Sequence, residues 1–106
     1  MMANKVIVQF KTDASSDLDR LFHVEETLFQ AFSQCNDGFV DGHDIGQGKF
    51  NIFIHVQSSW ASVLERVEAF LKLRGVLEEA VIVKFQGKTE RYQVVRPATY
   101  DGEFAL

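Results

Sequence analysis

Phe39-Val40-Asp41-Gly42-His43-Asp44-Ile45-Gly46-Gln47-Gly48-Lys49-Phe50-Asn51-Ile52-Phe53-Ile54-His55-Val56-Gln57 is the stretch on which the fold turns. Two β-prone runs, Phe39 to Ile45 and Lys49 to Gln57, flank Gly46-Gln47-Gly48, whose glycines accept positive φ, so the stretch reads as a hairpin of strands two and three. In the second run Phe50, Ile52, Ile54 and Val56 alternate onto one face, and Lys49, Asn51, Phe53 and His55 onto the other. Apolar groups on both faces predict a central strand.

Toward the N-terminus, Val6, Val8 and Phe10 share one face of a short strand one between Lys5 and Lys11. Ser16 before Asp17-Leu18-Asp19 is a helix start signal, and the acidic first turn suits the positive end of a helix dipole. Leu18, Leu21, Phe22, Leu28, Phe29 and Phe32 recur at three- and four-residue steps and predict the core face of helix one. The cluster Asn36-Asp37-Gly38 stops that helix soon after Cys35.

Toward the C-terminus, Ser58-Ser59 caps a second helix with the stripe Trp60, Val63, Leu64, Val67, Phe70 and Leu71. Glu68 and Lys72 support it at i, i+4. Gly75 is placed to end it as the left-handed residue, with apolar Val76 beyond. Val81, Val83 and Phe85 are read as the inward face of strand four, and Arg91 to Val95 as a fifth strand ended by Pro97. The order β-α-β-β-α-β with an added C-terminal strand predicts an α+β, ferredoxin-like sandwich in which two helices cover one face of an antiparallel sheet.

At 106 residues the chain is expected to be one domain, 1–106, with 97–106 as its tail. A hydrophobic share of 46% and a charged share of 25% argue against disorder, collagen-like structure and disulfide scaffolds. The net charge of −4, with basic residues scattered, argues against a nucleic-acid partner, which requires a basic stripe to neutralise phosphates. One cysteine, Cys35, makes no internal disulfide and excludes multi-cysteine metal motifs; it reads as a small buried hydrophobe in a reducing cytoplasm. The few apolar residues before Gln9 and Lys11 are too short for a signal sequence or a membrane span, so neither export nor membrane binding is expected. No cofactor-binding motif is read. The Gly42, Gly46 and Gly48 spacing joins two strands and opens no helix, so it is turn chemistry and not a phosphate loop. His23 is expected on the surface of helix one.

In this topology the sheet face opposite the helices meets water, a partner or the chain's own tail. The pleat assignment puts Ile7, Gln9, Asn51, Phe53, His55, Ile82 and Lys84 there. Ile7, Phe53 and Ile82 would form an apolar interface patch. The competing expectation is that Tyr92, Tyr100 or Phe104 folds over it. A three-residue loop at Gly46 to Gly48 would pair Asp41 with Phe53 and His43 with Asn51, clustering Asp41, His43, Asn51 and His55 on that face. A loop one residue longer or shorter would turn His43 and Asp41 to the other face. Such a cluster offers zinc two imidazoles and a carboxylate, although without diagnostic spacing, or a general acid or base; polar groups on a wet sheet face are the commoner fate of such a set.

The run from Asp41 to Phe53, read as D-G-x-x-x-G-x-G-x-x-N-x-F, resembles hairpins of small uncharacterised bacterial ferredoxin-like proteins. That resemblance implies a bacterial cytoplasmic protein and no chemistry. The chain is also similar in size and topology to acylphosphatases, with Asn51 in a position to mimic their catalytic asparagine. They need an arginine in a glycine-containing loop before helix one, however, and Thr12-Asp13-Ala14-Ser15-Ser16 has none. RNA-recognition domains stack bases on exposed aromatics of strands one and three, where Phe53 alone is expected outward. ACT-like regulatory modules resemble an acidic domain of this kind at the level of fold only.

The expectation is therefore a non-enzymatic interaction or regulatory domain. It would dimerise or bind a protein or small ligand through the outer sheet face and hairpin, at Asp41, His43, Asn51, Phe53 and His55. An immunity-like acidic domain that complements a basic toxin belongs to this class. The alternative is a small enzyme or metal-binding protein using His43 or His55 with Asp41 and Asn51.

Overall fold

The computed structural model describes residues 3–12 and 16–106. Its elements are β1 (Lys5–Lys11), α1 (Ser16–Ser33), β2 (Gly38–Gly46), β3 (Lys49–Val56), α2 (Trp60–Leu73), a single 3-10 turn at Leu77–Glu79, β4 (Val81–Gln86) and β5 (Arg91–Arg96). The strands form one sheet in the order β2-β3-β1-β4-β5, every neighbouring pair antiparallel. This is the ferredoxin-like arrangement with one strand added beside β4. Helix α1 begins at Ser16 as expected; residues 13–15 and the side chains of Ser16 and Asp17, which would cap it, lie outside the described residues.

The core lies between the sheet and the helices. Val6, Val8 and Phe10 of β1 and Phe50, Ile52 and Ile54 of β3 meet Leu21, Val24, Leu28 and Phe32 of α1 and Val63, Val67 and Leu71 of α2, all buried. Burying each Val, Leu, Ile or Phe contributes about 1.5–3 kcal/mol, so this layer carries most of the fold's stability. Both ends of α2 match their sequence signals. Ser59 Oγ accepts from the Ser62 amide at 3.2 Å. At the other end Gly75 takes φ 74°, which lets its amide reach Lys72 O and the Val76 amide reach Leu71 O, at 3.1 and 3.0 Å.

Two expectations about facing are corrected. Phe22 and Phe29 are 39% and 55% exposed, because the buried stripe of α1 runs through Leu21, Val24, Leu28 and Phe32 and leaves them on the flank toward β2. Strand β4 has the opposite facing to that expected. Its pairing sets Ile82 across from Val8 and Lys84 across from Val6, so Ile82 is fully buried under the helices and Lys84 reaches the Trp60 ring at 4.8 Å. Val83 and Phe85 face outward instead. In Val81-Ile82-Val83-Lys84-Phe85 both alternating sets are apolar enough to be buried, and the pairing with β1 decides between them.

Candidate functional site

The hairpin that sequence reasoning singled out closes through a tighter turn than the three-residue loop expected of it. Gly46 pairs with Lys49, leaving Gln47 and Gly48 as a two-residue turn with φ of 53° and 75°. Positive φ at both central residues gives the strands a twist that matches the sheet, and glycine at the second accepts it without strain. Each residue of β2 near the turn therefore shifts by one. His43 pairs with Ile52, Asp44 with Asn51 and Ile45 with Phe50, so His43 lies on the helix side. A bulge between Val40 and Gly42 then changes the phase again, and Phe39 lies opposite His55 on the outer side.

The four polar residues expected together consequently have separate partners. His43 Nδ1 donates to both carboxylate oxygens of Glu25 on α1, at 2.8 and 2.9 Å. Its ring stacks on Phe50 at 5.3 Å and meets the Phe22 ring edge-on at 5.2 Å. Asp41, in the bulge, pairs with Lys5 at 3.1 Å. His55 stacks on Phe39, centroids 4.7 Å apart and planes 13° from parallel. Asn51 is buried and accepts from Gln9 Nε2 at 2.9 Å. Among the described residues no three His, Cys, Asp or Glu side chains converge as a metal set. The cluster of Asp41, His43, Asn51 and His55 does not assemble, for the reason the tighter turn supplies.

The outer face has a different floor and a cover. Ile7, Val83 and Phe85 are buried there, with Phe53, Val81, Val94 and Phe104 packed around them. Ile82 does not belong to this set, and Ile7 is only 2% exposed. The cover is the segment after β5. Phe104 sits 5.5 Å from the Tyr92 ring, which in turn lies 5.0 Å from Phe85. The carbonyl of Ala105 accepts from Gln9 Nε2 at 2.9 Å and from Lys49 Nζ at 3.1 Å. Phe53 stays half-buried, with Lys5 Nζ 5.7 Å from its ring centroid. An apolar face left open by the topology thus meets the chain's own C-terminal segment, and the interface expected at Ile7, Phe53 and Ile82 is not an open surface.

An open apolar surface lies at the other side of the molecule, where α1 flanks β2, an outer strand of the sheet. Phe22, Phe29 and Ile45, at 39%, 55% and 40% exposure, are gathered there. Next to Phe29 is a recess of about 320 Å³ lined by Glu25, Glu26, Phe29, Val40, Asp41 and Gly42. The rim is acidic. Glu25 and Asp41 are engaged by His43 and Lys5, and Glu26 stands exposed beside them. Phe22 and Phe29 were visible in the sequence as part of the α1 stripe; their exposure follows from that stripe being wider than the helix can bury against one sheet.

No family model, curated protein or solved structure matches the chain.

Proposed function

We propose that this protein is a non-enzymatic interaction domain that docks a basic partner protein on the flank formed by α1 and β2. The observation that carries the reading is the grouping of Phe22, Phe29 and Ile45 on an open edge of the sheet, with Glu26 exposed on the rim. Aromatic anchors surrounded by polar groups are the anatomy of a docking surface. The acidic rim supports a cationic partner, because complementary charge speeds encounter and rejects wrong partners. It disfavours a second copy of the same flank, which would bring Glu26 against its own kind. An immunity-like role, in which an acidic domain masks a basic toxin or nuclease, fits this chemistry.

The test compares wild-type protein with a Phe29→Ser/Ile45→Ser variant as baits in the native host's lysate. Both residues are exposed, so the variant keeps its fold. Wild type should retain one basic protein, released by raised salt, and the variant should lose it. If the two baits recover the same proteins, the flank is not the docking surface.

A further inference from the structure

A second site lies on the opposite side of the sheet, independent of the α1–β2 flank. In the β1–β3 ladder Lys11 stands directly across from Lys49, next to the Gln9–Asn51 pair and on the same outer face. Like charges directly opposite one another in an antiparallel pair are destabilising, with Cβ atoms only about 4.5–5.5 Å apart. Here they occur in a chain that has fifteen acidic residues against eleven basic ones. Among the described residues Lys11 has no ion pair or hydrogen bond, and Lys49 makes one hydrogen bond, to the Ala105 carbonyl. Each ammonium has three donors, so most of the donor capacity of this pair is unspent.

The two lysines open into a cleft of about 720 Å³ between the end of the sheet and the segment that covers it. Gln9, Lys11 and Lys49 line it from the sheet, and Tyr100 and Asp101 line it from the segment after β5. Arg20 and Glu79 close one wall through two hydrogen bonds of 3.1 and 2.8 Å, so that wall is already neutralised and hydrogen-bonded. The volume is that of a small-molecule site, and the positive charge is concentrated on one side of it.

We propose that this cleft binds a small molecule carrying a divalent oxyanion, a phosphate monoester, with the anion held between Lys11 and Lys49. Two ammonium groups match the charge of a divalent phosphate, and their free donors match its oxygens. Tyr100 offers an aromatic wall to the body of the ester. Among the described lining residues, Asp101 is the carboxylate not paired with a basic side chain, so it sets an upper limit on affinity.

The probe is phenyl phosphate, titrated at constant ionic strength above neutral pH, where its phosphate is mostly divalent, and followed by amide NMR. Saturable shifts should map to Lys11, Lys49, Tyr100 and Asp101. The Lys11→Gln/Lys49→Gln variant should bind roughly tenfold more weakly or worse. Asp101→Asn should bind about two- to threefold more tightly. Lys88→Gln, in the β4–β5 turn, should bind as wild type does. Both lysines sit at a solvent-facing end of the ladder, and an unchanged thermal melt of the double variant would confirm that its loss is not unfolding. The proposal fails if phenyl phosphate does not saturate by about 20 mM, or if a folded double variant binds it as tightly as wild type.

Discussion

The two faces of the sheet are built from the same strands and hold together in different ways. Under the helices, β1, β3 and β4 contribute a large apolar layer that α1 and α2 close from above. On the outer face the apolar cluster is small, Ile7, Val83 and Phe85, and is bordered by the buried Gln9–Asn51 amide pair. Its cover is a single segment, attached through Phe104 and one carbonyl shared by Gln9 and Lys49. The difference teaches that packing on one face supplies stability, which frees the other to carry polar groups and a cleft.

The largest test of that contrast is a pair of aromatic truncations. Phe50→Ala, under the helices and fully buried, should cost about 3–5 kcal/mol in urea unfolding. Phe104→Ala, only half-buried, should cost about 1–2 kcal/mol. Hydrogen exchange should show the second variant opening on the outer face while the helix-covered core stays protected. Equal costs would mean that the faces share one cooperative core.

A smaller effect is expected at the amide pair. Gln9→Leu removes the donor to Asn51 and to Ala105 and should cost about 1–3 kcal/mol, because it strands the buried Asn51 acceptor. Replacing both Gln9 and Asn51 by Leu should recover most of that loss, as two apolar groups leave nothing buried without a partner. If the double variant is no better than the single one, the pair is held by more than mutual hydrogen bonding.

The smallest effect lies at the wall of the cleft. Hydrogen bonds from Arg20 hold the Glu79 carboxyl below its ordinary value of 4.5, with burial opposing the shift and charge attraction adding to it. A lowered folded value means that the stabilisation is fully present above the ordinary carboxylate range and is lost as pH falls through the lowered value. Both side chains are nearly half exposed, so the contribution should stay below about 1 kcal/mol. An Arg20→Ala variant should show a correspondingly shallower loss of stability in acid than wild type. A difference that persists unchanged in acid, below the lowered value, would assign the effect to packing instead.

Much of this architecture is legible in residues whose meaning is local. The caps of α2 at Ser59 and Gly75, the turn residues after α1, and the order of helices and strands follow from capping chemistry, backbone freedom and hydrophobic period. The candidate sites were less legible. Gln9, Asn51 and Phe53 were read onto the outer face, where they lie, whereas Ile82 and His43 belong to the helix side. Lys11 and Lys49 carried no signal as a pair, because β1 and β3 bring them together from distant parts of the chain.

What the sequence by itself determined is the list of elements and their order, since a helix end or a turn is decided by residues within a few positions of one another. The tertiary structure alone decided the facings. One residue less in the hairpin turn moved His43 to the other side, and pairing with β1 chose Ile82 over Val83 for the core, because a strand's side chains alternate with period two and any single-residue change of register exchanges the faces. It also decided what covers the outer face, where Phe104 and Ala105 reach strands nearly the whole chain away.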